Sequence, residues 1–432
     1  MRITLLTIGA YGDTAPFVAL AVRFQRAGHR VRLAARPDFA DLAADYGVDF
    51  APLGRPYRPF ITGAAEASAV GSGHLLRQLR YGVRQRRYVS DQLSGDAWRA
   101  AEGAEAIIYK YSWITGYTIA EKLGIPCAAA MLFPLTPTRA FPSFLLGGGK
   151  DRGPLLNRLA WDLTGQVTWQ LLRREDAALR RELGLRPLPV LGPVRRQQAA
   201  GMPVYYAYSP AVLPRPADWP GRVHVSGYWF LDPPPGWRPP PGLLEFLQAG
   251  PPPVSIGFGS MASRDPDAML TLVLRALELS GQRGVLLSGW AGLGRGRDLP
   301  AHVFGADAIP HSWLFPRLAA VVHHGGAGTT GAGLRSGVPS VLVPLAADQP
   351  SWARVVHALG AGPAPVPFPA LTAQRLADAI SEAVSNAAIR QRAAEVSTHL
   401  RAEDGPGQAV ELFTRHAGSK TRPRGGPPGG PS

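Results

Sequence analysis

The chain has 432 residues, of which 46% are apolar and 18% are charged, a composition typical of a globular protein with two domains. Lysine and arginine outnumber the acidic residues by 46 to 31, and the net charge of +15 would attract nucleic acid, anionic lipid or phosphorylated ligands. The sequence contains no helix-turn-helix, zinc-finger or RNP-like pattern, so nucleic acid is not an expected partner.

The first half of the sequence alternates short β-branched runs with amphipathic stretches, a pattern typical of parallel strands connected by helices. The predicted strands are residues 2–8, 30–35, 105–110 and 127–132. A helix is predicted over residues 16–27, where Phe17, Leu20, Ala21 and Phe24 repeat at helical spacing. The alternation predicts a Rossmann-like domain over residues 1–230.

The second half shows the same alternation and predicts a second domain of the same kind over residues 243–416. Its predicted strands are residues 253–258, 283–288, 319–323 and 339–343. Residues 231–242 contain two runs of proline that fit neither a helix nor a central strand, and they predict a stiff linker. Residues 417–432 are rich in proline, glycine and basic residues and predict a disordered tail. The fold class is therefore α/β, with two doubly wound parallel sheets facing a cleft.

The stretch Val321-Val322-His323-His324-Gly325-Gly326-Ala327-Gly328-Thr329-Thr330 runs from an apolar strand through small residues into a helix pattern. Glycines here let backbone amides crowd around an anion, and the first helical turn presents unpaired N–H groups and the positive end of the helix dipole. A diphosphate fits this chemistry, with His323 adding a donor or a charge. The alternative is an ordinary tight turn after a strand, with His323 as a core residue.

A carboxylate and an amide follow the next predicted strand, in Asp348-Gln349-Pro350. Side chains at the carboxyl ends of parallel strands face the crevice where ligands bind. An acidic side chain beside a primary amide suits the vicinal hydroxyls of a sugar, because one accepts hydrogen bonds and the other both donates and accepts. The alternative is a helix N-cap at Asp348.

The segment from Ala308-Ile309-Pro310-His311 to Asp348-Gln349 resembles the donor-site signature of UDP-sugar glycosyltransferases with the GT-B fold. Within that group it is most similar to sterol 3-beta-glucosyltransferases and vancomycin-group aglycone glycosyltransferases. Agreement extends to residues 256–261, 225–230 and 9–16, so that the resemblance covers nearly the whole chain. One departure is Leu345-Ala346-Ala347, where sterol-type relatives carry bulkier Phe and Gly, and it leaves the identity of the sugar open.

The resemblance implies a role for each matching position. Ser260, His323 and the amides of Gly326, Ala327, Gly328 and Thr329 would hold the diphosphate. Asp348 and Gln349 would bind the hexose, and backbone groups from Ile309 to His311 would contact the uracil. Trp290 would flank the base or else belong to the core. No metal and no cofactor are implied beyond the nucleoside-diphosphate sugar, which is a co-substrate.

Asp13 follows the first strand through a Gly9-x-x-Gly12 turn and precedes the predicted helix, so its carboxylate should reach the cleft. In the resembling enzymes this aspartate is the base that takes the proton of the acceptor hydroxyl. The alternative is that Asp13 or Thr14 only caps the helix. The sequence Asp265-Pro266-Asp267 is interpreted as an N-cap with proline in the first helical turn, and not as a metal site.

Apolar residues after the fourth strand, including Phe133, Phe141 and Phe144, would line a pocket for a hydrophobic, hydroxylated acceptor or would be plain core. Residues 75–88 interleave apolar and basic side chains, as in a helix at the surface of an anionic membrane or a solvated basic helix. The single cysteine, Cys127, fits a reducing compartment, and no apolar run reaches the roughly 18 residues that span a bilayer. We expect a cytoplasmic protein, with any membrane contact peripheral to the inner face.

The sequence therefore predicts an inverting, metal-independent glycosyltransferase that moves a hexose, glucose from UDP-glucose, to a hydroxyl of a sterol or a natural-product aglycone. Two alternatives remain open: a sugar-nucleotide 2-epimerase of the same architecture, and a non-catalytic protein that binds sugar nucleotides or lipids.

Overall fold

The computed structural model describes residues 1–56, 93–110, 114–146, 151–259, 265–289 and 292–421. Its amino-terminal lobe is built on a parallel sheet of seven strands in the order β3-β2-β1-β4-β5-β6-β7. The strands are β1 (Arg2–Leu6), β2 (Arg30–Ala35), β3 (Asp49–Pro52), β4 (Ala106–Lys110), β5 (Cys127–Met131), β6 (Val204–Tyr206) and β7 (Val223–Val225). The helices are α1 (Tyr11–Arg26), α2 (Ala40–Asp45), α3 (Leu93–Ala100), α4 (Thr115–Leu123), α5 (Pro154–Glu182) and α6 (Val194–Ala199).

The carboxy-terminal lobe is built on a second parallel sheet, in the order β10-β9-β8-β11-β12. The strands are β8 (Val254–Gly257), β9 (Gly284–Leu287), β10 (Val303–Ala306), β11 (Ala320–His323) and β12 (Ser340–Leu342). The helices are α7 (Leu243–Gln248), α8 (Pro266–Ser280), α9 (His311–Leu314), α10 (Ala327–Ser336), α11 (Gln349–Ala358), α12 (Ala373–Ser385), α13 (Ala387–Ala402) and α14 (Gly405–Thr421). Two doubly wound sheets are the predicted fold class, and the prediction is confirmed.

Central strands are nearly continuous apolar runs because helices cover both faces of each sheet. In β1, Leu5 pairs with Leu33 on one side and Ile108 on the other, and all three are fully buried. The eight predicted strands are confirmed within one or two residues of their ends. Four further strands were not predicted, β3, β6, β7 and β10.

Helix α1 begins at Tyr11, five residues before the predicted start at residue 16. The prediction was wrong because the apolar repeat begins only at Phe17, whereas the first turn is stabilised by a hydrogen bond from the Ala10 N–H to the Asp13 side chain rather than by apolar packing. Asp13 consequently lies inside the first turn of the helix and not before it.

The end of the chain returns to the amino-terminal lobe. Arg23 pairs with Asp404 at 2.8 Å, and the rings of Phe24 and Phe413 meet edge to face at 5.8 Å. Helix α14 therefore packs on α1, although the sequence assigned residues 243–416 to the carboxy-terminal domain. The helix continues to Thr421, so the segment predicted as a tail from residue 417 begins inside a helix.

Between residues 231 and 242 the backbone forms no helix or strand. Among the helices that the structure describes, none is both long and apolar enough to cross a bilayer.

Candidate active site

Asp13 lies in the first turn of α1 with both carboxylate oxygens in contact with other groups. Its Oδ2 accepts a hydrogen bond from the backbone N–H of Ala10, the N-cap residue, at 3.1 Å. Gly9 has a φ of +134°, and a Cβ at that position would lie 2.1 Å from the same oxygen. Glycine is needed at position 9 because any side chain would displace the carboxylate. The Asp13 side chain remains 30% exposed.

Lys110 is the partner of Asp13, and the sequence analysis missed it. Its ammonium lies 2.6 Å from Asp13 Oδ1 and donates to the carbonyl of Ile8 at 2.8 Å. Lys110 ends β4, whose five residues are all buried. A lysine at the end of a buried strand is a signal that could have been used, because a buried ammonium needs an anionic partner.

The glycine turn after β11 faces the first turn of α1. Gly325 has a φ of +87°, Gly326 is an extended N-cap without a side-chain hydrogen bond, and α10 begins at Ala327. The amides of the first turn are consequently free of a capping side chain and available to an anion. A Cβ on Gly328 would lie 3.6 Å from the carbonyl oxygen of Gly12. The amino-terminal ends of two helices, one from each lobe, thus meet across the cleft.

His323 is buried beneath this turn. Its Nδ1 accepts the backbone N–H of Gly325 at 3.1 Å, and its Nε2 has no hydrogen-bond partner in the described part of the chain. A Cβ on Gly333, on the inner face of α10, would lie 3.8 Å from Nε2. Burial, with His324 and His311 nearby, holds the pKa of His323 well below its usual range. The lowered pKa disfavours the added positive charge, one of the two roles considered from the sequence.

His324 and His311 complete a group of three neutral rings behind the turn. Added Cβ atoms on Gly259 and Gly326 would lie 3.0 and 2.5 Å from the His324 ring. His311 stacks on Phe315 with centroids 4.3 Å apart. Burial and the neighbouring His324 lower the pKa of His311 to about 4. Burial lowers the pKa of His324 to about 4 as well.

Asp348 and Gln349 lie at the start of α11, as expected for the end of β12. Asp348 is the N-cap residue, although its side chain makes no capping hydrogen bond. The Gln349 amide oxygen accepts the backbone N–H groups of Leu345 and Ala346 at 2.9 and 3.3 Å, so its NH₂ group remains to donate. Ala347, with φ +57°, is a non-glycine residue in the left-handed region, a strained conformation typical of functional loops.

Asp348 is electrostatically coupled to the other lobe. Desolvation and the charge of Asp13 raise its pKa to about 6, whereas the charge of Lys110 lowers it. Two carboxylates and one ammonium therefore share the space between the lobes. This coupling places Asp13 and Asp348, predicted as base and sugar ligand, at one site.

The predicted acceptor residues are packed together beside the cleft. Phe141 and Phe144 meet edge to face at 5.8 Å, and Phe144, 3% exposed, lies 5.3 Å from Trp352 of α11. Phe133 is half-buried and packs against the same core. Phe144 therefore connects the two lobes one turn beyond Asp348.

Other predicted positions have simpler outcomes. Ile309 is 4% exposed and packs in a core cluster with Leu314 and Phe315, so its side chain is not available to a nucleotide base. The side chain of Asp265 accepts the N–H groups of Asp267 and Ala268, which confirms the predicted N-cap. In the described ranges no group of three or more histidine, cysteine or acidic side chains could hold a metal ion. Ser260, Trp290 and residues 75–88 lie outside the described residues.

Comparison with known proteins assigns the chain to a family. The N-terminal domain of glycosyltransferase family 28 matches residues 3–142, and the C-terminal domain of erythromycin biosynthesis protein CIII-like proteins matches residues 293–414. The O-mycaminosyltylonolide 6-deoxyallosyltransferase of Streptomyces fradiae is 34% identical over 426 residues, covering 98% of this chain and 99% of that protein. The chain belongs to the GT-B glycosyltransferases.

Plant and fungal enzymes are equally similar to this glycosyltransferase. The sterol 3-beta-glucosyltransferase UGT80A2 of Arabidopsis thaliana is 34% identical over 427 residues, 96% of this chain. The chain spans 66% of the length of that relative and 27% of the sterol 3-beta-glucosyltransferase of Cryptococcus neoformans. Among solved structures, the calicheamicin glycosyltransferase CalG4 matches with a TM-score of 0.67 at 18% identity, covering 98% of this chain and 99% of that one.

Proposed function

We propose that this glycosyltransferase moves a hexose, glucose from UDP-glucose, to a hydroxyl of a lipophilic acceptor such as a sterol or a natural-product aglycone, with inversion and without a metal ion. The observation that carries the proposal is the approach of Asp13 to the first turn of α10 across the cleft, with Gly12 and Gly328 in contact distance. A base on one lobe and an anion site on the other are what a single displacement at an anomeric carbon requires.

The donor would lie on the carboxy-terminal lobe. The amides of Gly326, Ala327, Gly328 and Thr329, together with Ser260, would bind the diphosphate, and the dipole of α10 would stabilise its charge. Asp348 and the NH₂ group of Gln349 would bind hexose hydroxyls. The backbone from Ile309 to His311 would contact the uracil, with Trp290 beside it, while neutral His323 fixes the turn through Gly325.

In the proposed step the acceptor oxygen attacks the anomeric carbon as the bond from that carbon to the diphosphate breaks. The hydroxyl proton passes to Asp13, and the diphosphate leaves with the bonding electrons toward the amides of α10. Lys110 is a positioning residue in this step: its ammonium fixes Oδ1 of Asp13 and offsets one of the two carboxylate charges near the donor. A helix N-terminus supplies the positive potential that a metal ion supplies in other transferases.

The similarity to sterol 3-beta-glucosyltransferases supports a lipophilic acceptor, and the complex of the related glycosyltransferase VinC with dTDP supports a nucleoside-diphosphate donor. VinC matches with a TM-score of 0.66 at 20% identity. Phe133, Phe141 and Phe144 would lie beside the acceptor. An acceptor of this kind resides in membranes, so peripheral contact of a cytoplasmic enzyme with an anionic bilayer belongs to the proposal.

The deciding experiment compares wild type with Asp13→Asn. Asparagine retains an oxygen that can accept the Ala10 N–H, but it cannot take a proton, so we expect unchanged UDP-glucose affinity by calorimetry and a transfer rate lower by about 10²–10⁴-fold. Transfer is measured by mass spectrometry against sterols and polyketide aglycones. Asp378→Asn, at an exposed position of α12, is the control. Equal transfer by both variants would remove Asp13 as the base.

The same samples test the two alternatives. A sugar-nucleotide 2-epimerase would convert UDP-glucose in the absence of any acceptor. A non-catalytic binding protein would bind UDP-glucose tightly and transfer it to no hydroxyl.

A further inference from the structure

Helix α5 directs apolar side chains outward. Its 29 residues span about 43 Å. Between residues 155 and 171 its outer face carries six aliphatic side chains that are 52–76% exposed. They are Leu155, Leu156, Leu159, Leu163, Val167 and Leu171. Five of them are spaced four residues apart and form one slowly turning stripe on the helix surface. Contiguous exposed apolar surface of this kind is typical of a contact surface.

Contacts on the inner face of α5 show that the leucine stripe is not a face of the helix that should be buried in the core. Asn157 donates to the carbonyl of Arg139 at 3.2 Å, Asp176 accepts from Thr118 at 2.5 Å, and fully buried Arg180 pairs with Glu121 at 2.9 Å. These polar contacts fix which face of the helix points inward. If the helix were rotated so that the leucines faced inward, the carboxylate of Asp176 and the guanidinium of Arg180 would lose their partners, at a large cost in free energy.

Exposed leucines also lie beside the reaction cleft, in a segment that contacts α5. Leu145 and Leu146 are 36% and 53% exposed and directly follow Phe144, which contacts Trp352 beside Asp348. Ser143 of this segment is hydrogen-bonded to Thr164 of α5 at 3.0 Å. Toward the carboxyl end of α5 the exposed charged residues are Arg173, Arg174, Arg181 and Glu182, so positive charge predominates there.

We propose that the outer face of α5 docks this glycosyltransferase on an anionic lipid bilayer, with the leucine stripe inserted among the acyl chains and the arginines on the headgroups. Apolar insertion combined with arginine attraction to anionic lipid is the chemistry of interfacial helices. The docked enzyme would present its cleft to the layer in which a lipophilic acceptor dissolves. This purpose depends on the proposed function, whereas the docking itself does not.

Charge favours the bilayer over a second copy of the chain. A twofold axis at the centre of the stripe would pair two α5 helices in antiparallel fashion, leucines against leucines, and would leave the arginines outside the contact. A parallel pairing would place arginines against arginines. Neither arrangement gives the arginines an anionic partner, whereas an anionic headgroup layer does.

The test is sedimentation of the full chain with vesicles of phosphatidylcholine alone and of phosphatidylcholine mixed with phosphatidylglycerol. We expect wild type to bind the mixed vesicles more tightly, and added salt to weaken that preference. Leu159→Ser/Leu163→Ser should lower binding to both vesicles at least about tenfold, because leucine burial supplies the insertion. Arg173→Glu/Arg174→Glu should remove the preference for phosphatidylglycerol. Leu244→Ser/Leu279→Ser, at exposed leucines of other helices, should leave binding unchanged.

Transfer to a water-soluble acceptor without vesicles is measured on the same variants, and the leucine double variant should retain it. If wild type bound neither vesicle, or the leucine variant bound as well as wild type, the docking proposal would fail while the transferase proposal stood. A wild-type dimer that the leucine variant dissociates would assign the stripe to a second copy and overturn it too. Vesicle binding without any transfer would leave the docking and reject the function.

Discussion

At the scale of single residues, one carboxylate serves two purposes. Asp13 accepts the backbone N–H of the N-cap residue Ala10 through Oδ2 and is held by Lys110 through Oδ1, so the helix start and the proposed base depend on the same side chain. A carboxylate has about four lone-pair positions, so an acceptor hydroxyl can still donate to it. The two bonds restrict its orientation, which is what a base needs when the reacting atoms must be aligned.

Asp348 should make the use of the donor dependent on pH. Its pKa is raised to about 6, and only the ionised form accepts hydrogen bonds from sugar hydroxyls with both oxygens. We expect the KM for UDP-glucose to rise as pH falls through about 6. The histidines behind the glycine turn are not the source, because burial lowers the pKa values of His311 and His324 to about 4 and holds that of His323 well below its usual range. The measurement is KM against pH for wild type and Asp348→Asn, and a step that persists in the asparagine variant would contradict this assignment.

Lys110→Met should lower kcat by about 10–100-fold, because the ammonium no longer fixes Asp13. It should also move the KM step of UDP-glucose to higher pH, since Lys110 lowers the pKa of Asp348. The second effect distinguishes a charge in the site from a merely structural lysine. Lys122→Met, on the exposed side of α4, is the control. An unchanged pH step in Lys110→Met would rule out the electrostatic role.

At the scale of elements, the proposed anion site is the first turn of α10, and it depends on small residues. Gly328 is helical and points toward Gly12 of α1, where a Cβ would make ordinary van der Waals contact at 3.6 Å. Alanine should fit at this position, whereas a long side chain would occupy the space in which a diphosphate would lie.

Gly328→Leu should therefore weaken UDP binding by more than about 100-fold, because it blocks the amides of the turn, and Gly328→Ala should weaken it less than about tenfold. Calorimetric titration with UDP gives the affinities, and thermal unfolding shows whether both variants fold. Similar affinities for the two variants would mean that the diphosphate binds elsewhere.

The elements differ in how far the sequence could predict them. Central strands such as β1 and β11 are nearly uninterrupted apolar runs, so the parallel sheets were predictable. Glycines mark the turn after β11, so the turn that is proposed to bind the anion was predictable as well. Strands β6 and β7 have three residues each, too few to show a period. Lys110 reaches Asp13 from 97 positions along the chain, a contact that depends on the pairing of β1 with β4 and leaves no local pattern.

At the scale of the whole molecule, the contacts between the lobes include two that hold the carboxy-terminal segments against the amino-terminal lobe and that sequence order does not reveal. Phe144 contacts Trp352 beside the cleft, and the chain returns to the amino-terminal lobe at Glu403, which accepts from Ser209 at 2.5 Å. From there α14 covers α1, the helix that carries Asp13. The carboxy-terminal end of the chain thereby supports the amino-terminal half of the site.

Phe413 is the anchor of that return. It is fully buried and packs edge to face on Phe24, so Phe413→Ala removes a core ring and should cost about 3–5 kcal/mol of unfolding free energy. Glu411→Gln, which removes only the exposed pair with Arg415, should cost less than about 1 kcal/mol. Thermal unfolding measures both, and limited proteolysis shows which lobe opens. Because α14 packs on α1, we expect the amino-terminal lobe of Phe413→Ala to be cleaved first, with UDP affinity retained at low temperature. Cleavage that begins in the carboxy-terminal lobe would show that α14 stabilises that lobe instead and would contradict the prediction.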